Sequence, residues 1–270
     1  MGIKVDSSVA LPRFVITSAS GPLCNFQVLI KKPPLLEDHT AHHRVISILF
    51  ADSLLNFISL SPKAIFTWDG STGSKLFEWY SEKEGVAMIF DDRERKLIVG
   101  YSDGFVKVLN VANGAILKTL CPVDEDTGQV YCVDIVSMAF APELRYVCAL
   151  YTDGNVLFFN ENAVDGMLYP LSVTRLPFEP FSCTSLDHVY DSHVSSLPFF
   201  VVGTTCGKVY GFDSLSFKIL NKGLPLLQHP GGLTVMEYVE TGLLLTGDTH
   251  GNLLISHVRG ARDATPIAPF

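Results

Sequence analysis

The chain lacks a long apolar run and any cluster of basic residues. No stretch approaches 18 uncharged apolar residues, so the sequence predicts no membrane span. The first residues also lack the apolar core of a signal peptide, and Asp6 stands where N-myristoylation requires Ser or Thr. The net charge is −8, and basic pairs such as Lys31-Lys32 are too small to bind phosphate backbones. We therefore expect no nucleic-acid partner.

The chain also lacks any Cys-x-x-Cys pair. Its six cysteines are scattered, and several stand within apolar stretches: Cys24, Cys121, Cys132, Cys148, Cys183 and Cys206. This usage is typical of small buried hydrophobic side chains in a reducing compartment, rather than of disulfides or metal ligands. The sequence therefore favours an intracellular, cytoplasmic protein.

No catalytic or metal-binding signature is present. There is no Gly-x-Ser-x-Gly elbow, and the segment 70–75 lacks the spacing of a phosphate loop. The histidines His39, His42 and His43 fit neither a His-Glu-x-x-His helix nor a zinc finger. The acidic segment 124–126 lacks the alternating oxygen ligands of a calcium loop. We expect no catalytic residue, no cofactor and no metal.

The chain does contain one sequence pattern that recurs. Its clearest copy, residues 88–110, predicts a strand, a polar turn, a strand, a tight Asp-Gly turn and a third strand. The tight-turn position, called the slot below, recurs at spacings of 41 to 53 residues: Gly21, Lys63, Gly104, Gly154, Gly207 and Gly251. A repeat of this length with three or four short strands indicates a β-propeller.

The positions around each slot agree with this register. An apolar run precedes every slot, as expected of strands buried on both faces. In five of six copies a large apolar residue and a polar residue stand five and six positions after the slot: Phe26-Gln27, Trp68-Asp69, Leu109-Asn110, Phe159-Asn160 and Phe212-Asp213, whereas the last copy has Ser256-His257. This order suits a third strand whose large residue points between neighbouring sheets.

The sequence thus predicts an all-β fold, a single propeller domain over residues 1–270 with about six four-stranded blades. The predicted blades are 1–40, 41–82, 83–125, 126–178, 179–226 and 227–270. The slots should lie in the turns between second and third strands. A β-sandwich is the alternative, but it would give short turn spacings without the long one. Whether the six units close into a ring or form part of a longer propeller stays open.

Two further expectations follow from the register. Gly104 and Gly154 follow aspartates, so each should form a tight hairpin with the glycine at positive φ. Phe90 and Phe140 each stand fourteen residues before a slot glycine, at the end of a first strand. Both side chains should therefore be buried between blades.

Residues 100–110 and the dipeptide Trp68-Asp69 make the chain resemble a WD-repeat propeller over nearly its whole length. The resemblance implies that an aspartate directly before the slot, as at Asp103 and Asp153, bonds a histidine at the head of its repeat. The candidate head histidines are His42 or His43 in the second unit and His229 in the sixth. Neither unit has an aspartate directly before its slot, so we expect the full polar network in no single unit. The third unit, with residues 110–114, also resembles repeats of large propeller proteins of cilia and flagella.

The resemblance implies a non-catalytic scaffold that binds protein partners, with association to a cilium or the cytoskeleton as one location. The alternative is a propeller enzyme or small-ligand binder, with acids or histidines converging in the axial channel. Four irregular segments are either binding loops or tolerated insertions: 31–43, 124–128, 161–180 and 187–196.

Overall fold

The all-β class is confirmed by the computed structural model of the chain. The structure describes residues 2–6, 13–17, 44–258 and 264–269, apart from positions 124–127, 132, 163–165, 187–189, 192–193, 196–198, 214 and 240–242. Within these residues it contains 25 β-strands and a single short 3-10 helix, Asn221–Gly223. The predicted slot at Gly21 lies outside the described residues.

Most strands form five sheets, four with four strands and one with four antiparallel strands and a short added fifth strand. They are here called sheets A to E. Sheet A consists of Ser47–Ala51, Asn56–Ser61, Ala64–Asp69 and Lys75–Tyr80. Sheet B consists of Gly85–Phe90, Lys96–Tyr101, Val106–Asn110 and Ile116–Leu120. Sheet C consists of Ile135–Ala141, Tyr146–Tyr151, Asn155–Asn160 and Ser172–Arg175.

The last two sheets continue the same order along the chain. Sheet D consists of Pro180–Leu186, Phe199–Thr204, Lys208–Phe212 and Leu227–Gln228. Sheet E consists of Leu233–Val239, Leu243–Asp248, Leu253–Val258 and Ala264–Pro269. Three further short pieces are Gly2–Asp6 paired with Arg13–Thr17, Tyr190–Asp191 paired with Val194–Ser195, and the strand Met167–Leu168.

In each of the five sheets the four strands follow one another in chain order and pair antiparallel. Each set of four strands is therefore an antiparallel meander formed by one stretch of chain, and sheet B gains a further strand from sheet C. The first strands of successive sheets contact each other, from sheet A through to sheet E. The sheets thus stand side by side in sequence order, with their first strands gathered together.

The core lies between neighbouring sheets rather than within any one of them. Second and third strands are apolar on both faces, and side chains such as Ile58, Leu97, Ile98 and Phe158 are fully buried. Four apolar clusters fill the spaces A–B, B–C, C–D and D–E. Full burial of each such side chain stabilises the fold by about 1.5–3 kcal/mol. The fourth strand of sheet A is by contrast largely exposed, whereas that of sheet B is exposed only at Ile116 and Leu117.

The five described slots all lie between second and third strands, as predicted. Gly104 and Gly154 have φ of 83° and 89°, which confirms the two predicted positive-φ hairpins. Gly207 and Gly251 share this conformation, with φ of 83° and 82°. Lys63 is instead in a two-residue turn, and its φ is not among the positive values.

The two predicted core phenylalanines differ in their outcome. Phe140 is buried between sheets B and C, as expected. Phe90 ends its first strand and packs against the cluster between sheets A and B, but it is only half-buried. The expectation of burial is therefore met only in part for Phe90, because the side chain packs against this cluster but lies at its margin.

Candidate interaction surface

Of the irregular segments, 161–180 is the one that the structure describes most fully. Residues 31–43 and 124–126 lie outside the described part of the chain, together with the candidate head histidines His42 and His43. A Cβ added to Gly128, which lies beside the acidic segment, would have no atom within 4 Å. Within 187–196, the described residues form the small hairpin of Tyr190–Asp191 and Val194–Ser195. Segment 161–180 carries two structural features that the sequence did not reveal.

The first feature is a fifth strand on sheet B. Met167–Leu168, from the link between the third and fourth strands of sheet C, pairs parallel with Ile116–Leu120. The backbone N–H of Thr119 donates to the carbonyl of Gly166 at 2.7 Å, and that of Cys121 donates to the carbonyl of Leu168 at 2.7 Å. Leu168 is buried in the cluster between sheets B and C. This short segment therefore covers the outer edge of sheet B at Thr119 and Leu120.

The second feature is a buried carboxylate at Glu161. Lys96 places its Nζ 2.5 Å from Oε1, and Arg145 places Nη2 2.9 Å from Oε2. Lys118 lies 3.3 Å from Oε1 and also donates to the Glu161 carbonyl. Arg145 binds Asp92 as well, at 2.6 Å. Lys96 and Lys118 belong to sheet B, so this cluster joins sheets B and C by charge.

The surroundings of Glu161 keep it ionised. Burial alone would raise the pKa of its carboxyl, but the hydrogen bond and charge of Lys96 and the charges of Lys118 and Arg145 outweigh burial. The net effect is a pKa below the ordinary value. The three cations are partly exposed whereas Glu161 is almost fully buried. The cluster has a structural role, because both carboxylate oxygens of Glu161 already bind cations.

A polar network joins the head of the last unit to its slot turn. His229, which is buried, has Nε2 2.7 Å from the Thr246 hydroxyl and Nδ1 3.6 Å from a carboxylate oxygen of Asp248. Asp248 also accepts from the backbone N–H of Gly231 at 3.2 Å and from the side chain of Asn252 at 2.9 Å. Nδ1 of His229 has no hydrogen-bond partner, so the histidine–aspartate bond of the full network is not formed here, and the expectation that no single unit holds that network is not contradicted.

The carboxylate nearest to His229 stands at a different position from the one expected. Asp248 ends the second strand, three residues before the slot glycine, whereas the expectation required an aspartate directly before Gly251. Burial would raise the pKa of Asp248, but hydrogen bonds from Asn252, Gly231 and His250 hold it well below its ordinary value. In the first described sheet, Trp68 Nε1 donates instead to the Ser59 hydroxyl at 3.0 Å.

The outer strand of sheet A, Lys75–Tyr80, is the most exposed apolar strand among those whose side-chain burial the structure describes. It is called the edge strand below. Leu76 is 41% exposed, Phe77 50% and Tyr80 71%. In the described part of the chain it pairs with Ala64–Asp69 on one side and with no strand on the other. A sheet edge with exposed apolar side chains is a surface on which another chain can pair.

A groove of about 470 Å³ runs between the edge strand and sheet B. Apolar side chains line its floor and walls, with a few charged groups at its margin: Ile65, Trp79, Tyr80, Tyr101, Phe105, Leu109 and Ile116, with Glu82, Lys83, Asp103 and Lys107. Lys83 pairs with Asp103 at 3.7 Å, and Lys107 lies over the ring of Tyr101 at 5.1 Å. A Cβ on Gly114 would stand 2.3 Å from the Trp79 ring, so the groove is narrow at that end. Together, the edge strand and this groove form the candidate interaction surface.

A second hollow, of about 680 Å³, opens beside the slot turn of sheet C. Its lining mixes polar and apolar side chains: Thr152, Asp153, Arg175, Leu176, Pro177, Phe178 and Glu179. Lys208 stands over the ring of Phe178 at 3.9 Å, and Phe178 stacks on Tyr210. This hollow offers hydrogen-bonding groups but no ordered pairing edge comparable with that of sheet A.

Several expected absences concern the described residues alone. Within them, no group of three or more His, Cys, Asp or Glu side chains is arranged to hold a metal ion. The described part of the chain also has no helix with the length and apolar character that a membrane crossing requires. The described cysteines are free thiols: Cys121, Cys148, Cys183 and Cys206. Burial and the neighbouring Cys183 raise the pKa of the Cys148 thiol.

Comparison with known proteins gives one sequence relative and a likeness of fold. No family model matches the chain. The Cilia- and flagella-associated protein 337 B of Tetrahymena thermophila is 22% identical over 210 residues, which cover 66% of this chain and 16% of that protein. The computationally designed Ika8 protein superimposes with a TM-score of 0.58 at 18% identity, over 84% of this chain and 61% of that one. This second similarity concerns the fold alone.

Proposed function

We propose that the chain is a non-catalytic scaffold for protein–protein interaction, built on a WD-repeat-like β-propeller. The observation that carries the proposal is the succession of five four-stranded meanders whose first strands contact each other in sequence order. Radial repetition of such sheets is how propellers are assembled.

The distribution of charged and apolar groups supports binding rather than catalysis. The most buried carboxylates described, Glu161 and Asp248, are each engaged by several neighbouring donors and have no free oxygen facing a hollow. The exposed apolar side chains of sheet A stand on a hydrogen-bonded meander, so this surface is ordered before a partner docks and loses little conformational freedom on binding. Apolar and aromatic anchors of this kind carry most of the binding energy at protein interfaces.

The resemblance to a cilia- and flagella-associated protein extends the proposal to location. The matched region is 16% of that protein's length, so its name bears on this chain only as a guide to where to look. We expect a fluorescently tagged chain to be enriched in the cilium or flagellum of a ciliated cell. A tagged chain spread evenly through the cytoplasm would contradict this part of the proposal.

The test of function is recovery and reconstitution of a partner. Proteins retained by the tagged chain are identified by mass spectrometry, purified separately and titrated by calorimetry. The double variant Phe77→Glu/Tyr80→Glu is compared with Leu215→Glu/Leu224→Glu, which alters two similarly exposed apolar side chains beside sheet D. We expect a purified partner to bind the unchanged chain in a defined ratio. Failure of every retained protein to bind directly, or a substrate turnover by the purified chain, would overturn the proposal.

A further inference from the structure

The edge of sheet A matches the edge of sheet B that already carries an added strand. Resting on the proposed function, we propose that an extended segment of a partner protein pairs with Lys75–Tyr80 as a fifth, parallel strand. One aliphatic side chain of that segment would enter the groove beside Trp79. The occupant is thus a short extended peptide with a leucine-sized residue and no charge at that position, held by backbone hydrogen bonds.

The registers of the two sheets show which backbone groups would bind. In sheet A, Trp68 pairs with Lys75 and Ile65 with Trp79. In sheet B the corresponding pairs are Leu109 with Ile116 and Val106 with Leu120. Both fourth strands have a register shift at the same place, after the first pair. Glu78 and Tyr80 therefore correspond to Thr119 and Cys121.

Those correspondences assign two outward-facing donors. Thr119 and Cys121 are the residues whose N–H groups hold the added strand of sheet B. In sheet A, the N–H of Ser81 donates inward to the carbonyl of Lys63 at 2.9 Å. Alternation along a strand then points the N–H of Tyr80 and of Glu78 outward. The edge strand thus presents the same pair of donors that sheet B uses.

The groove corresponds to the space that Leu168 fills. Leu168 is buried between sheets B and C, beside the outer strand of sheet B. The equivalent space between sheets A and B is the groove of about 470 Å³ next to Trp79 and Ile116. In sheet B this position is thus filled by an aliphatic side chain, whereas in sheet A it is open. The chemistry of the missing side chain is therefore that of Leu168.

The next sheet along the chain does not supply this strand. In sheet C the link that provides Met167–Leu168 joins strands ending at Asn160 and beginning at Ser172. The matching link in sheet B joins strands ending at Asn110 and beginning at Ile116. That link is closed by a tight turn in which the N–H of Gly114 donates to the carbonyl of Asn110 at 2.8 Å. It is too short to reach along the edge strand, so no segment within the described residues supplies this strand, and we assign it to another protein.

The test of this proposal uses a peptide copied from the segment that pairs with sheet B in the chain itself. A fluorescein-labelled peptide with the sequence of residues 164–171 is titrated with the purified chain, and binding is followed by fluorescence anisotropy. Tyr80→Pro removes one outward donor, and proline is tolerated where the N–H of an edge strand faces solvent. Tyr80→Phe is the matched control, because it keeps the N–H and the ring. A peptide with aspartate in place of Leu168 tests the groove.

We expect the peptide to bind the unchanged chain and the Tyr80→Phe variant alike, and to bind Tyr80→Pro about tenfold or more weakly. The aspartate peptide should not bind. Saturable binding that Tyr80→Pro leaves unaltered, or no binding of the unchanged peptide at millimolar concentration, would overturn the proposal. A partner that docks on another surface would leave the proposed scaffold function standing while this inference fails.

Hydrogen exchange keeps the test decisive if Tyr80→Pro does not fold. In the unchanged chain, the peptide should slow exchange of the Glu78 and Tyr80 amides. Protection of Thr119 and Cys121 instead would mean that the peptide replaces the chain's own strand on sheet B. That result, or unchanged exchange at both Glu78 and Tyr80, would also contradict the proposal.

Discussion

The hydroxyl of Tyr151 donates a hydrogen bond to the carbonyl oxygen of Gly104 at 2.8 Å. Tyr151 ends the second strand of sheet C, and Gly104 is the slot glycine of sheet B, so the bond joins the slot turn of one sheet to the next sheet. Tyr151 is fully buried. Burial, followed by the charge of Asp153, raises the pKa of its hydroxyl well above the ordinary value. The hydroxyl is therefore a permanent donor at neutral pH.

Removal of this donor should weaken the contact between sheets B and C. Tyr151→Phe keeps the ring but leaves the Gly104 carbonyl without its buried partner. We expect the free energy of unfolding to fall by about 1–3 kcal/mol, measured by urea denaturation. The control is Tyr80→Phe, whose hydroxyl belongs to a largely exposed side chain and whose loss should change stability by less than about 0.5 kcal/mol. Equal effects of the two changes would contradict the assigned role of Tyr151.

Two slot glycines with the same backbone conformation should respond differently to alanine. Gly104 and Gly251 have φ of 83° and 82°, so both variants carry backbone strain. A Cβ on Gly104 would stand 2.4 Å from the carbonyl oxygen of Tyr131, whereas one on Gly251 would meet nothing within 4 Å. We expect Gly251→Ala to lose about 1–2 kcal/mol of stability and Gly104→Ala at least about 1 kcal/mol more. Urea denaturation of both variants tests the order, and a larger loss at Gly251 would refute it.

Loss of the buried carboxylate should leave three neighbouring cations to repel one another. Glu161→Gln keeps the shape of the side chain but leaves Lys96, Lys118 and Arg145 without their common partner. We expect a loss of about 2–4 kcal/mol, since the cations are partly exposed and can relax toward water. Glu78→Gln, which breaks the exposed pair with Lys75 at 2.8 Å, should lose less than about 1 kcal/mol. A Glu161→Gln variant as stable as the unchanged chain would show that the cluster contributes nothing.

The Asp248 network should make the stability of the fold depend on pH in the acid range. The pKa of Asp248 is lower in the folded chain than the value near 3.9 of an unfolded aspartate. Its contribution is therefore complete above that value and is lost as the pH falls through the folded pKa. We expect Asp248→Asn to lower the melting temperature at pH 7, and the gap from the unchanged chain to narrow between about pH 5 and pH 2. A gap that stays constant over this range would contradict the assignment.

The sequence predicted the all-β class and the slot turns because both depend on local chemistry. An Asp-Gly pair between two apolar runs specifies a hairpin wherever it occurs, as at Gly104 and Gly154. Burial at the margin of a cluster depends on neighbouring sheets, and Phe90 shows this limit. Asp248, which accepts hydrogen bonds from Gly231 and Asn252, was not predicted because it stands at a strand end rather than directly before the slot. The feature of the sequence that could have indicated Asp248 was an aspartate at the end of an apolar run.

The Glu161 cluster and the added strand of sheet B could not be predicted from local pattern. Lys96 lies 65 positions from Glu161 in the chain, so no short motif contains both residues. The segment 166–168 has no alternation long enough to indicate a strand, and its pairing partner belongs to the preceding sheet. Its two hydrogen bonds depend on donors at Thr119 and Cys121 that are set by the register of sheet B. Such features follow from packing between sheets rather than from the repeat.

The added strand has a consequence for how such a chain could be rearranged in evolution. Sheet A, sheet D and sheet E are each completed by one stretch of chain, so duplication or loss of any one of them removes no hydrogen-bonded strand from another. Sheet B borrows Met167–Leu168 from the link within sheet C, and the charges around Glu161 cross the same boundary. A recombination crossover between residues 121 and 134 would separate sheet B from Met167–Leu168, and it would also divide the charged cluster around Glu161. Sheets B and C are therefore expected to be inherited as a pair.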